Sequence, residues 1–265
     1  MNAPTLANLK YFFLDMDGTV YLGPNPIDGA ADFVRFLQES GRRFLFFTNN
    51  PASDAVQYCA KLQRMNIAVS PEDILTSGEA TARYLVSETS YRKVFVLGTP
   101  SFESELTRAG IRLVEDDPDA VVLAFDKTLT YAKLEKACLL LRAGLPYVAT
   151  NPDKVCPTEY GYIPDCGSMA ALLAAAANRE PKYIGKPNAE MVQMGMQKLG
   201  ATPQHTAMVG DRLYTDMQMA FNAGIVSILV LSGETTREDI ETTQRKPGHV
   251  FESVRELHRA LAEAG

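Results

Sequence analysis

Histidine and cysteine are scarce in this chain, and long apolar runs are missing. Of 265 residues, three are histidines (His205, His249, His258) and four are cysteines (Cys59, Cys138, Cys156, Cys166). No two cysteines form C-x-x-C and the histidines are scattered, so no zinc cluster is expected. A chain of this length does not need disulfides, and the cysteines are read as reduced thiols. No apolar run approaches the ~20 residues that span a bilayer. The opening MNAPTLANLK lacks a basic segment followed by an apolar stretch, so no secretory signal is expected. The expectation is a soluble, cytoplasmic protein with no membrane partner. The net charge is −6, with acids and bases interspersed and no basic stripe, which argues against a nucleic acid polymer as partner. A small anionic ligand is not excluded, because the field at a site differs from the total.

The chain does contain alternating strand and helix patterns. With 46% hydrophobic residues it can bury one large core or two smaller ones. Short apolar runs occur at YFFL (11–14), RFLFF (43–47), KVFVLG (93–98), AVVLAF (120–125), PYVAT (146–150), YIG (183–185), TAMVG (206–210) and IVSILVL (225–231). Helix-like stretches separate them: AADFVRFLQES with Asp28 as its expected cap, a pattern opened by Ser53, SFESELTRAG, TYAKLEKACLLLRAG and the Ala-rich GSMAALLAAAANRE. Continuous apolar strands between helices indicate parallel sheets covered on both faces, hence an α/β class.

In open parallel sheets, ligands gather at the carboxyl ends of strands. Asp15 and Asp17 follow YFFL, Thr48 and Asn49 follow RFLFF, and Gly210 and Asp211 end TAMVG, with Asp216 five residues on. Lys186 follows YIG. Alone, each has an ordinary reading: Asp-Gly is a turn, Thr48 or Asp216 serves a helix start, and a lysine is commonly solvated. As a set they supply what phosphoryl transfer needs. Magnesium takes hard oxygen ligands, for which Asp15, Asp211 and a main-chain carbonyl near Asp17 are suited. One carboxylate attacks phosphorus, and Asp17 protonates the leaving oxygen. Thr48 and Lys186 hold and offset charge on the transferring group.

DMDGT, Thr48–Asn49–Asn50, GKP (185–187) and GDRLYTD (210–216), in that order, resemble the four motifs of the haloacid dehalogenase-like phosphatases. The resemblance covers essentially the whole chain. It implies a Rossmann-like parallel-sheet core with an inserted α/β cap domain. Asp15 resembles the nucleophile and a Mg²⁺ ligand. Asp17 resembles the general acid/base, with its carbonyl on the metal. Thr48 resembles the phosphate-binding hydroxyl, with Asn49 extending that pocket. Lys186 resembles the charge-neutralising lysine, Asp211 the acidic metal ligand, and Asp216 a second acid outside the metal's direct ligands.

The domain-sized stretch between the second and third motifs places core segments at 1–77 and 183–265 and a cap at 78–182. This arrangement, with VLAFDKTLTYAKL, ATNPD and CGSMAALL, resembles the large-cap 4-nitrophenylphosphatase-like branch, where nucleotide, sugar-phosphate and phosphoglycolate phosphatases lie. Within the cap, Asn151 and Asp153 follow a strand, and Cys166, Gly167 and Ser168 start a helix whose free N–H groups attract anions; these residues are candidates to grip the substrate. Cys166 has no basic neighbour in sequence and is not expected to be a nucleophile. Asp126 is expected to cap the next helix or to meet a second subunit. The resemblance also favours a homodimer through the cap. The implied activity is hydrolysis of a small phosphorylated metabolite. A phosphotransferase or mutase with the same covalent step, and a non-catalytic phosphometabolite-binding protein, are the alternatives. The intact acid pair Asp15 and Asp17 weighs against the last.

Overall fold

The computed structural model describes residues 6–158 and 161–264. Its main strands are Tyr11–Leu14 (β1), Arg43–Thr48 (β2), Ile74–Thr76 (β3), Lys93–Leu97 (β4), Ala120–Leu123 (β5), Tyr147–Ala149 (β6), Thr206–Gly210 (β7), Val226–Val230 (β8) and His249–Phe251 (β9). The α-helices are Ala30–Glu39 (α1), Ala55–Arg64 (α2), Ser77–Glu88 (α3), Pro100–Arg108 (α4), Tyr131–Arg142 (α5), Cys166–Ala177 (α6), Ala189–Leu199 (α7), Gln218–Ala223 (α8), Arg237–Thr242 (α9) and Val254–Ala264 (α10). The chain divides into two compact units. One comprises 1–47, 56–75 and 187–265; the other comprises 48–55 and 76–186. The class is α/β, a Rossmann-like parallel-sheet core with an inserted α/β domain.

The first sheet runs β9-β8-β7-β1-β2-β3. The pairings from β9 through β2 are parallel, and Leu14 of β1 lies between Val209 and Phe46. The apolar runs explain this order, because strands buried on both faces must sit centrally. Successive residues of β1 point to opposite faces. Phe12 meets Phe33 of α1 edge-on at 6.4 Å, while Phe13 stacks on Phe47 at 4.4 Å. Gly195 of α7 makes room for that stack, since a Cβ there would lie 2.4 Å from Phe47 Cζ. Each such fully buried phenylalanine contributes about 1.5–3 kcal/mol of transfer free energy.

The second sheet runs Lys182–Tyr183, β6, β5, β4, Arg112–Leu113, all parallel. It has its own core, with Phe95, Val121, Leu123 and Tyr147 packed on Leu141 of α5 and Leu173 of α6. An antiparallel pair of strands, Val155–Thr158 and Gly161–Pro164, lies in the same unit.

Several local expectations are corrected. The cap position of α1 is Gly29, at φ 80, and Asp28 instead pairs with Arg255. Asp28 falls one residue too early for its oxygen to reach the first free N–H groups. Helix α2 begins at Ala55, two residues after Ser53. Helix α5 is capped by Thr130, whose hydroxyl accepts from Lys133 N at 3.3 Å, and not by Asp126. Asp126 is buried and accepts from Thr128 N, Thr128 Oγ1 and Lys133 Nζ, so it is not available to a second subunit. The YIG run is strand only at Tyr183, after which Gly185 N–H turns onto Thr150 O at 2.8 Å.

Candidate active site

In the first unit, β1 and β7 each run straight into an acid. Asp15 N–H donates to Val209 O at 2.8 Å, carrying the ladder one residue past β1. The chain then turns tightly, with Met16 O accepting from Thr19, Val20 and Tyr21 N–H. Gly18 makes the turn possible at φ 89, a region that a side chain disfavours. Beyond β7, Gly210 and Asp211 lead into a π-helical turn, Leu213–Met217. That wide turn is a rare form, frequent at functional sites. It swings Asp216 back under Gly210, where a Cβ would lie 2.4 Å from Asp216 Cβ, and Arg212 N–H donates to Asp216 Oδ2 at 3.1 Å.

The result is a buried cluster in which Asp15, Asp211 and Asp216 each offer an oxygen within 4.8 Å of the others. Asp211 is held by Glu234 N–H on Oδ2 at 2.7 Å, while its Oδ1 is buried without a hydrogen-bond partner. Burying like charges together is costly unless a cation joins them. Burial pushes the Asp211 carboxyl well above the usual range, and Asp15 and Asp216 push it further. Asp17, half-buried beside the cluster, is also raised by burial, against the opposing pull of Lys61 and Arg212. Burial alone would lower Arg212, but Asp15, Tyr214, Asp211 and Asp216 more than offset it, and its Nε pairs with Glu234 at 2.9 Å. An all-oxygen set with one buried unpartnered carboxylate oxygen fits a hard divalent cation such as Mg²⁺.

The second unit gathers the other candidates around Asn49 and Asp153. Strand β2 ends at Thr48, whose hydroxyl accepts from Asn50 N at 3.1 Å in a short turn. Asn49 then presents its amide to the protein itself. Its Oδ1 accepts from Lys186 N at 2.8 Å, and its Nδ2 donates to Lys186 O at 2.9 Å and Asp153 Oδ2 at 2.8 Å. Both amide protons are spent on the protein itself, a set of partners that the sequence does not reveal. Asn151 Nδ2 bridges Asp153 Oδ2 and Asp165 Oδ1 at 3.1 and 3.2 Å. Lys186, Asn151 and Asp153 are all buried.

The start of α6 is also different from expectation. Cys166 N donates to Asp165 Oδ1 at 2.5 Å, Gly167 N to Asp153 O at 2.7 Å and Ser168 N to Asp165 O at 3.0 Å. Asp165 caps the helix, and Ser168 Oγ is taken by Lys154 O at 2.5 Å. The N–H groups expected to be free are therefore occupied. Burial pushes the Cys166 thiol up to about 12, which leaves it un-ionised at neutral pH.

Sequence reasoning passed over residues that shape the cluster. Gly233 and Glu234 follow β8, and a Cβ on Gly233 would lie 2.0 Å from Asp211 Oδ2. SGET directly after the long apolar run was the available signal, since it stands where a third strand's carboxyl end must lie. Arg212 and Lys61 carried no signal beyond their charge.

A parallel sheet that delivers carboxylates from two neighbouring strands, with an inserted α/β domain, defines a haloacid dehalogenase-like hydrolase. The chain belongs to that family, in its 4-nitrophenylphosphatase-like branch. The family model for haloacid dehalogenase-like hydrolases matches residues 12–112, and a second HAD-hydrolase-like model matches 183–257. An acid sugar phosphatase of Staphylococcus haemolyticus is 34% identical over 97% of each chain. A 5′-nucleotidase of Bacillus subtilis is 34% identical over 93% of this chain and 96% of its own. Among solved structures, a 4-nitrophenylphosphatase from Thermotoga maritima superposes with TM-score 0.94 at 46% identity, covering 97% of this chain and 98% of that one.

Proposed function

We propose that this protein is a Mg²⁺-dependent phosphatase that hydrolyses small phosphomonoesters of the sugar phosphate, nucleotide or 4-nitrophenyl phosphate type through an aspartyl phosphate. The observation that carries the reading is the convergence of Asp15, Asp211 and Asp216 within 4.8 Å, with Asp211 Oδ1 buried and unpartnered. The names of the three relatives given above, two phosphatases and a nucleotidase, support the substrate class.

Asp15 and Asp211, with the main-chain carbonyl of Asp17, would hold the ion, and Asp216 would sit outside its direct ligands. Bound Mg²⁺ supplies positive charge that screens the phosphate oxygens from the attacking carboxylate. Asp15 attacks phosphorus, and the bond from phosphorus to the ester oxygen breaks. Asp17 gives its proton to that leaving oxygen, for which its raised affinity for the proton suits it. Asp17 then takes a proton from the water that attacks the aspartyl phosphate, and Asp15 is restored. Thr48 donates to a transferring oxygen, and Lys186 offsets developing negative charge.

In this reading residues 78–182 form the cap, and 1–77 and 183–265 the catalytic core. Asn151, Asp153 and the segment Cys166–Ser168 shape the cap's contribution to substrate choice through the network above. The exposed apolar side chains Tyr131 and Leu139 on α5 and Leu172 on α6 support a homodimer through the cap. Cys59, Cys138 and Cys166, which stand outside any disulfide, support a reducing, cytoplasmic setting. The test is phosphate release from 4-nitrophenyl phosphate with Mg²⁺ and with EDTA. Turnover that EDTA abolishes and Mg²⁺ restores is expected, and turnover indifferent to EDTA contradicts the reading.

A further inference from the structure

We infer that Asn49 is a positioning residue for Lys186: its side-chain amide fixes the Lys186 main chain, and thereby the direction from which the ammonium stem departs. The inference rests on the reading of Lys186 as the charge-offsetting lysine. Asn49 Oδ1 accepts from Lys186 N at 2.8 Å while Asn49 Nδ2 donates to Lys186 O at 2.9 Å. One planar amide thus holds both polar groups of a single residue, which fixes that residue's backbone in position and rotation together.

The clamp is itself braced. Asp153 Oδ2 takes the second proton of Asn49 Nδ2 at 2.8 Å, which fixes which end of the amide is oxygen and which is nitrogen. Asn151 Nδ2 donates to the same Asp153 oxygen, and Ser77 Oγ donates to Asn49 O at 2.7 Å. The residue before the lysine must be glycine, because a Cβ on Gly185 would lie 2.5 Å from Asn49 Oδ1. Lys186 itself sits on a loop that leaves the sheet after Tyr183. A residue outside the sheet has no ladder to fix its backbone, and charge offset depends on position. The clamp supplies the rigidity that the strand no longer gives.

A double-mutant cycle tests this with steady-state turnover of 4-nitrophenyl phosphate by the full chain in Mg²⁺. Lys186→Ala is expected to lower kcat by roughly 10²–10³-fold. Asn49→Ala is expected to lower kcat by roughly 10–100-fold, with KM nearly unchanged because a positioning residue leaves the substrate's own contacts in place. The double variant is expected to be no slower than Lys186→Ala alone, since a positioning residue has nothing left to position. In Asn49→Ala, the Lys186 amide is expected to exchange with solvent at least about tenfold faster than in the native protein. Should the alanine variant fail to fold, Asn49→Ser, which is uncharged, polar and too short to clamp both groups of Lys186, takes its place in the cycle. Losses that multiply in the double variant overturn the inference, as does a raised KM with unchanged kcat, which marks a substrate grip. A Lys186→Ala protein with native turnover overturns the underlying reading of the lysine instead.

Discussion

Gly18 faces the carboxylate of Asp211 so closely that a Cβ on the glycine would lie 2.4 Å from Oδ2. The turn that follows β1 and the acid that follows β7 are thus fitted to each other through a missing side chain. Gly18 also stands at φ 89. Gly18→Ala is expected to cost about 1–2 kcal/mol in backbone strain and to displace Asp211. The Mg²⁺ concentration for half-maximal turnover is expected to rise roughly 10–100-fold. A metal titration of turnover checks this, and an unchanged midpoint in a folded variant contradicts it.

Asp17 is expected to act through its proton. Asp17→Asn is expected to lower kcat by roughly 10²–10⁴-fold while the protein still melts cooperatively. Because burial holds the native carboxyl above the usual carboxylate range, the native kcat/KM is expected to fall with rising pH as that proton leaves. In Asp17→Asn this limb is expected to be absent. Retention of the same limb in the variant assigns it to another group.

Glu105 on α4 carries a pH dependence of stability unrelated to catalysis. Burial, with Glu79 and Asp54 adding, pushes its carboxyl from 4.5 to about 7, against the pull of Arg108 and the hydroxyl of Thr76. The folded-state value lies above the unfolded one, so the contribution is complete below the unfolded value of 4.5 and is lost as pH rises through about 7. Glu105→Gln removes the titration and is expected to be more stable than the native protein at alkaline pH by roughly 1–3 kcal/mol. Denaturant midpoints measured across this pH range decide it, and parallel curves for the two proteins rule it out.

The strands were legible because two-faced burial writes itself as uninterrupted apolar runs, as in YFFL and TAMVG. The acids at their ends were legible for the same reason, since each run stops at a carboxylate. Helix entry was less so: the cap of α5 is Thr130 and not Asp126, and a difference of a few residues decides which side chain reaches the free N–H groups. The hydrogen bonding of Asn49 was not legible at all. Its amide is spent on Lys186, 137 positions away, and no local pattern encodes a contact that the fold creates. The start of α6 misled for a related reason: Asp165 and the carbonyl of Asp153 fill the N–H groups that sequence alone leaves open.

Asp15 is the centre of the account, and trapping its phosphorylated form tests the account most directly. A crystal of the native protein grown with Mg²⁺ and beryllium fluoride, a mimic of a phosphoryl group, is expected to show the fluoride complex joined to an Asp15 carboxylate oxygen. The ion is expected to touch Asp15, Asp211 and the Asp17 carbonyl, and Asp15→Asn is expected to bind no fluoride complex and to release no phosphate. Fluoride density bonded elsewhere, or an Asp15→Asn protein that turns over at the native rate, contradicts it.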